Sequence, residues 1–340
     1  MRVMHVMASR ANGGAETYST DLMLSLHRGG LDQCAVVAPD APRADELRRS
    51  GLRLATGVLA TPLRPLQRYA LHRLVARERP DIIHCWMRRA ASLAPLRPHV
   101  IGWFGGYYDP RKFQRCDWFV GVTSDIVAHM VRNGVDPRHA RHIPTFPDVA
   151  DGPPVDRASL ATPPDAKVLL ALSRLHPKKG LDTLLGALAS LPDCMLWLAG
   201  EGELRADLER LAAQLGVAPR VRFLGWRSDR AALLRAADVC VLPSRYEPFG
   251  TVILEAWAAR TALVACASAG PAAHVEDGVT GLLTPIDDAP ALAAALRRVL
   301  DDKALRAAMI EGGYAVWRQR FTREAVTRQW LELYREISGG

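Results

Sequence analysis

Two consecutive doubly wound α/β domains are what this sequence predicts, and three observations carry the prediction. The chain opens in the same way twice. An apolar run at 2–8 leads through a glycine loop into a helical pattern over 16–27, and a second run at 167–172 leads through SRLHPKKG into a helical pattern over 181–191. Further short apolar runs recur in each half, with about a dozen residues of helical pattern between most of them. Finally, a Pro-, Asp- and Gly-rich stretch at 147–166, PDVADGPPVDRASLATPPDA, divides the halves.

In the first half the runs at 33–38, 82–85, 100–103 and 118–122 are read as the strands that follow the opening one; in the second half they are 195–199, 221–224, 239–243 and 262–267. The resulting organisation is a first domain over 1–150, a linker over 151–166, a second domain over 167–313 and a C-terminal helix over 314–340 that returns to the first domain. Gly312 and Gly313 are read as the interruption before that helix. Its stripe of Tyr314, Trp317, Phe321, Val326, Trp330 and Leu333 recurs at helical spacing and is read as packing.

The bulk composition excludes several classes. A chain of 340 residues exceeds one ordinary core, and 49% hydrophobic with 24% charged residues is globular, neither disordered nor fibrous. The six cysteines form no CxxC pair and several fall in apolar runs, which fits reduced buried thiols better than a disulfide framework or a zinc site. The opening MRVMHVMASRANGG lacks the apolar segment of a signal peptide, and the longest apolar candidate, 252–269, is broken by Glu255 and Arg260. The expectation is a cytoplasmic protein, at most held peripherally on the inner face of the cytoplasmic membrane. Its net charge of +8 rests on arginine, since only Lys112, Lys167, Lys178, Lys179 and Lys303 are lysines. Such a surface attracts anionic partners, and genome bias toward arginine is the plain alternative.

The chemistry concentrates in 239–260, VCVLPSRYEPFGTVILEAWAAR. An apolar strand ends near Ser244, a loop carries Glu247 and Gly250, and a helix begins near Thr251. Open α/β sheets bind ligands at the carboxyl ends of their strands, and unpaired amides at a helix start attract an anion such as a diphosphate. Glu247 and Glu255, separated by seven residues, are carboxylates suited to accept from sugar hydroxyls. Arg174 with Lys178, Lys179 and Gly180 lies in a loop on the same rim, where cations neutralise a leaving diphosphate. After the first strand, NGGAE at 12–16 lets the backbone approach a phosphate or sugar closely. It is not GxGxxG, which argues against a nicotinamide enzyme. Taken singly, each feature also has a structural reading: dipole-stabilising glutamates, a solvated cation, a tight turn.

Together these residues resemble glycosyltransferase family 4, a family of bacterial and other enzymes with the GT-B fold, two Rossmann-like doubly wound domains facing across a cleft. The matching segments are NGGAE at 12–16, PDIIH at 80–84, SRLHPKKGLDTLL at 173–185 and LAGEGEL at 198–204. They continue with VRFLGW at 221–226, ADVCVLPSRYEPFGTVILEAWA at 237–258 and DGVTGLL at 277–283. The resemblance spans most of the chain and is more specific in the second half, where R-x4-K precedes E-x7-E. It implies a retaining, metal-independent hexosyltransferase without a cofactor, using a nucleotide diphosphate sugar, expected to be UDP-linked, and a glycan or lipid-linked acceptor of cell-surface polysaccharide or lipopolysaccharide. Arg174 and Lys179 would hold the donor diphosphate. Glu247 would position the sugar from an exposed loop, the backbone of Phe249, Gly250 and Thr251 would contact sugar and phosphates, Glu255 would accept from the ribose, and Gly14 would close over the donor from the first domain.

The chain departs from the family pattern on the acceptor side. Where many members carry a first-domain histidine, this sequence reads HVIGWFGGYYDPRKF, with Phe104 the nearest counterpart; His84 matches another position and is read as structural. GPAAHV places Ala273 where relatives often have glutamate, and Thr145–Phe146 replaces an Asn-Gly. Gly13, Glu16, Trp103, Phe104 and Tyr107 are the acceptor-side candidates, the aromatics as a wall for a sugar ring or, equally, as core. The basic helix over 64–79 carries Leu66, Tyr69, Ala70 and Leu74 with Arg64, Arg68, Arg73 and Arg77, and is read as facing anionic lipid or as a surface helix with one buried face. Nucleic acid is not expected as a partner. Two rivals stand beside the transferase: a nucleotide-sugar epimerase on the same fold, which needs no acceptor, and a non-catalytic polyanion binder, whose affinity would fall steeply with salt.

Overall fold

Apolar runs buried on both faces make parallel strands, and each run singled out in the sequence becomes one. The computed structural model describes residues 1–339 except Asn12, Pro42, Asp148 and Ala150. The strands are β1 (Arg2–Met7), β2 (Asp32–Val37), β3 (Arg53–Leu54), β4 (Ile82–Trp86), β5 (His99–Phe104), β6 (Trp118–Gly121), β7 (Ala140–His142), β8 (Lys167–Leu172), β9 (Cys194–Ala199), β10 (Val221–Gly225), β11 (Val239–Leu242), β12 (Ala262–Cys266) and β13 (Leu282–Thr284). The three that the sequence reading passes over, β3, β7 and β13, are two or three residues long and lie at sheet edges, too short to carry a periodic signal.

One sheet has the order β3-β2-β1-β4-β5-β6-β7 and the other β10-β9-β8-β11-β12-β13, with parallel pairing throughout. In each, the chain winds outward from the first strand, then returns to its other side. The switch points therefore fall between β1 and β4 and between β8 and β11.

The first unit comprises Met1–Phe146 and Thr322–Gly340, and the second Pro147–Phe321. The segment expected as a linker is fastened to the second unit. Arg157 donates to the carbonyls of Ala236 and Ala166, each at 2.9 Å, and pairs with Asp238 at 3.1 Å. Thr162 accepts from the Trp197 indole at 2.9 Å.

The C-terminal helix also begins later than its glycines indicate. Lys303–Arg320 runs unbroken through Gly312 and Gly313. A Cβ at 313 would lie 2.3 Å from the Trp257 ring, and one at 312 would lie 2.5 Å from the Val279 carbonyl oxygen. The two glycines thus permit close helix packing instead of ending a helix. The break falls at Phe321, after which Thr322 caps Arg323–Ser338 by accepting from the Ala325 amide. The aromatic stripe is divided accordingly. Tyr314 lies 3.8 Å beneath the Arg260 guanidinium in the second unit, whereas Trp330 donates to the Tyr18 hydroxyl at 3.0 Å in the first.

His84 is structural. It is fully buried, its Nδ1 lies 2.7 Å from the Tyr334 hydroxyl, and its ring stacks on Trp86 at 4.2 Å and lies 5.2 Å from the ring of His5. Burial brings the His5 imidazole down to about 3 and holds His84 well below its ordinary value. Both are neutral in the folded unit, so from about pH 6.5 downward the unfolded chain takes up protons that the folded one refuses. Stability is therefore predicted to fall as the pH drops from 6.5 to 5, with a slope that rises toward about 1.4 kcal/mol per pH unit for each histidine. Chemical denaturation across that window should show the slope, and His5→Asn with His84→Gln should flatten it; an unchanged slope would contradict the assignment.

Candidate active site

The site is built from the loops that leave β8 and β11, neighbours in the second sheet through Val239 opposite Leu169 and Cys240 opposite Leu170. After β8 the chain makes a short turn, Pro177–Lys179, capped by the His176 ring, which accepts from the Lys178 amide at 3.1 Å. Gly180 follows at φ +60°, and a Cβ there would stand 2.1 Å from the Pro243 carbonyl oxygen. Glycine alone lets the two loops meet. The Lys178 carbonyl then accepts from the amides of Arg245 (2.9 Å) and Tyr246 (3.2 Å), and Arg245 spans Asp182 at 2.7 Å and Asp287 at 2.6 Å.

This stitching brings Lys179 Nζ to 2.5 Å from Glu247 Oε2. Their side chains are only 18% and 15% exposed, so Glu247 is largely buried and ion-paired, contrary to the exposed loop carboxylate expected. The buried base of this loop is what the sequence could not show. Lys178 instead lies over the Tyr246 ring at 4.7 Å, which separates the roles of the adjacent lysines. Arg174 is exposed, and its side chain has no ion-pair or hydrogen-bond partner among the described residues.

After β11, Gly250 at φ +86° turns the chain into the helix Thr251–Ala258, and no side chain caps it. The amides at its start stay open, with the positive end of the helix dipole behind them. The loop before it is clamped from behind. The Gly270 amide donates to the Glu247 carbonyl at 2.6 Å, and a Cβ at 270 would lie 2.4 Å from the Phe249 carbonyl oxygen. Glu255 sits one turn into the helix, buried and paired with Arg230. Burial pushes its carboxyl upward while the guanidinium opposes that shift.

Residues beyond those read from the sequence join this edge. Ser173, Ser244 and Ser268 follow β8, β11 and β12, and their buried hydroxyls have no hydrogen-bond partner among the described residues. Leaving a buried polar group unpaired costs about 1–3 kcal/mol, and these three lie along the sheet edge that carries the Lys179–Glu247 pair. An isolated serine carries no spacing signal, and neither does Arg230.

The acceptor-side candidates in the first unit separate. Gly13 caps the helix Gly14–Arg28, a Cβ at Gly14 would meet nothing within 4 Å, and Asn12 lies outside the described residues. Glu16 folds back to accept from the Ser9 hydroxyl. Trp103 and Phe104 are core, not a wall. Trp103 packs on Trp86 at 5.4 Å and Tyr18 at 5.9 Å, and Phe104 on Phe113 at 4.2 Å, because they end a central strand flanked on both faces. Tyr107 remains half-exposed, donates to Asp125 and meets His129 edge-on at 5.4 Å. On the basic helix Arg64–Glu78, Leu71 and Leu74 are buried, whereas Leu66 and Tyr69 are 51% and 63% exposed.

Two all-parallel doubly wound sheets, with cations and open amides at the switch point of the second, are the architecture of the GT-B fold, the fold of a large class of two-domain glycosyltransferases. The chain belongs to glycosyltransferase family 4: residues 12–151 match the family model described as Glycosyltransferase Family 4, and residues 154–316 match that of Glycosyl transferases group 1. It is 36% identical to the lipopolysaccharide core biosynthesis glycosyltransferase LpsE of Rhizobium meliloti (strain 1021), with 98% of each chain covered. It is 32% identical to LpsD of the same strain, again over 98% of each. In fold it matches Anabaena HepE in complex with UDP-glucose at a TM-score of 0.85 and 21% identity, covering 99% of this chain and 100% of that one.

Proposed function

We propose that the protein transfers a hexosyl residue from a UDP-sugar to a glycan or lipid-linked acceptor in lipopolysaccharide or related surface polysaccharide synthesis, with retention at the anomeric carbon. The observation that carries this reading is the Lys179–Glu247 pair beside the uncapped helix at Thr251, with Arg174 uncommitted on the same edge. Arg174, Lys179 and the first helix amides receive the two phosphates, and positive charge fixed in advance stabilises the leaving diphosphate without reorganisation. These groups supply the charge that a divalent ion would otherwise bring, so turnover persists in EDTA. Glu247, held by Lys179 within its loop, orients the sugar hydroxyls. The backbone of Phe249, Gly250 and Thr251 contacts sugar and phosphate, and Glu255 accepts from the ribose. The lipopolysaccharide core biosynthesis role of LpsE and LpsD supports the lipopolysaccharide assignment, and the UDP-glucose complex of HepE supports the donor. The exposed Leu66 and Tyr69, with Arg64 and Arg68 beside them, are assigned to peripheral contact with anionic lipid.

A thermal-shift panel of nucleotide sugars tests the donor site. A UDP-sugar at about a hundred times its dissociation constant should stabilise by about 2.7 kcal/mol, EDTA included. Arg174→Ala should lose that shift with the unliganded melting temperature unchanged, because no partner is stranded. Lys179→Ala should lose the shift and also melt lower, since Glu247 is left largely buried without its cation. Full ligand response in Arg174→Ala would remove Arg174 from the site. Separately, vesicle sedimentation should show binding to phosphatidylglycerol-containing but not phosphatidylcholine vesicles, lost in Arg64→Glu with Arg68→Glu; equal binding to both vesicles, or none to either, refutes the lipid contact.

A further inference from the structure

We infer that Arg230 is a positioning residue for donor recognition: it holds Glu255 as a carboxylate aimed at the ribose diol, so that discrimination for an intact ribose depends on it. The inference rests on the donor reading above and goes beyond it in assigning a second-helix arginine to the nucleoside end of the site.

Glu255 lies in an interior stretch of its helix, with Ile253, Leu254, Ala256 and Trp257 all buried around it. A carboxyl group so placed is driven to its neutral form unless a cation compensates it. In the neutral form one oxygen carries a proton, and the group loses acceptor capacity toward two hydroxyl donors. Ribose diols donate, so an ionised partner is the one that grips both.

Arg230 supplies the cation. It is the first residue of the helix Arg230–Ala236, and its Nη2 donates to Glu255 Oε2. Its neighbour Asp229 is already taken by the Arg227 fork, at 2.8 and 2.5 Å, which leaves Glu255 as the ion-pair partner of Arg230. On the strand side, the buried Cys240 thiol lies within reach of the Glu255 charge and is pushed up by burial, so it stays protonated and offers no compensation. Oε1 of Glu255 has no partner among the described residues, so one carboxylate oxygen is fixed and the other is left to accept from a ligand. The Arg230 side chain is 44% exposed against 9% for Glu255, so the cation reaches in from the surface to a carboxylate that cannot move out to meet it.

Calorimetric titration of wild type, Arg230→Met and Arg230→Lys with UDP and 2′,3′-dideoxy-UDP tests this. Wild type should prefer UDP by at least about tenfold, as expected for hydrogen bonds to a charged group. Arg230→Met should bind UDP at least about tenfold more weakly yet bind the dideoxy analogue as wild type does, and Arg230→Lys should restore most of the preference. In a donor assay the loss should appear in KM, with kcat little changed. Arg230→Gln, which retains a hydrogen-bond donor without the charge, serves if Arg230→Met does not fold. An unaltered UDP-to-dideoxy ratio in the folded variant overturns the role of Arg230 alone. Failure of wild type to bind any of UDP, GDP, ADP or CDP overturns the donor reading, and the inference with it.

Discussion

The closeness of two loops at the second switch point is the constraint on which the site depends. β8 and β11 are neighbours in the sheet although β9 and β10 separate them in sequence, and their chains leave the sheet at the same edge. Gly180 packed against the Pro243 carbonyl, together with the amides of Arg245 and Tyr246 on the Lys178 carbonyl, locks the loops together. Lys179 and Glu247 then meet as a consequence of backbone geometry, before any ligand arrives. A side chain at 180 would separate the loops and leave each charge largely buried without its partner.

Charge is distributed over this edge in a graded way. Glu247 is neutralised by Lys179 and Glu255 by Arg230, so neither carboxylate repels an incoming anion at full strength. Arg174 is left over, and the helix at Thr251 begins without a cap. The surplus is positive where a diphosphate is proposed to sit, and acceptors lie to either side of it along one helix and its loop. Ser173, Ser244 and Ser268 add neutral groups that can donate or accept. This is the arrangement expected of a site that must bind a charged group strongly while orienting uncharged hydroxyls beside it.

Much of the fold was legible because buried parallel strands are continuous apolar runs, as at 195–199 and 239–243. The edge strands β3, β7 and β13 were not, since two or three residues carry no pattern and their pairing is decided by neighbours. Gly312 and Gly313 misled for a related reason: glycine in a helix reads as a break when its purpose is to admit Trp257 and the Val279 carbonyl. Trp103 and Phe104 offered aromatic faces in sequence, but strand burial takes both faces away. At the site, Arg174, Lys179, Glu247 and Glu255 announced themselves through spacing. Which lysine faces the glutamate, and which arginine holds the second glutamate, depend on long-range contacts that spacing does not encode.

A crystal structure with bound UDP tests the central claim most directly, because the diphosphate is the group on which Arg174, Lys179 and the helix amides are proposed to converge. It predicts phosphate oxygens within hydrogen-bond reach of the Thr251 and Val252 amides, with the Arg174 guanidinium turned onto them and Lys179 alongside. A diphosphate bound elsewhere, with Arg174 still facing solvent and the start of that helix empty, would contradict it.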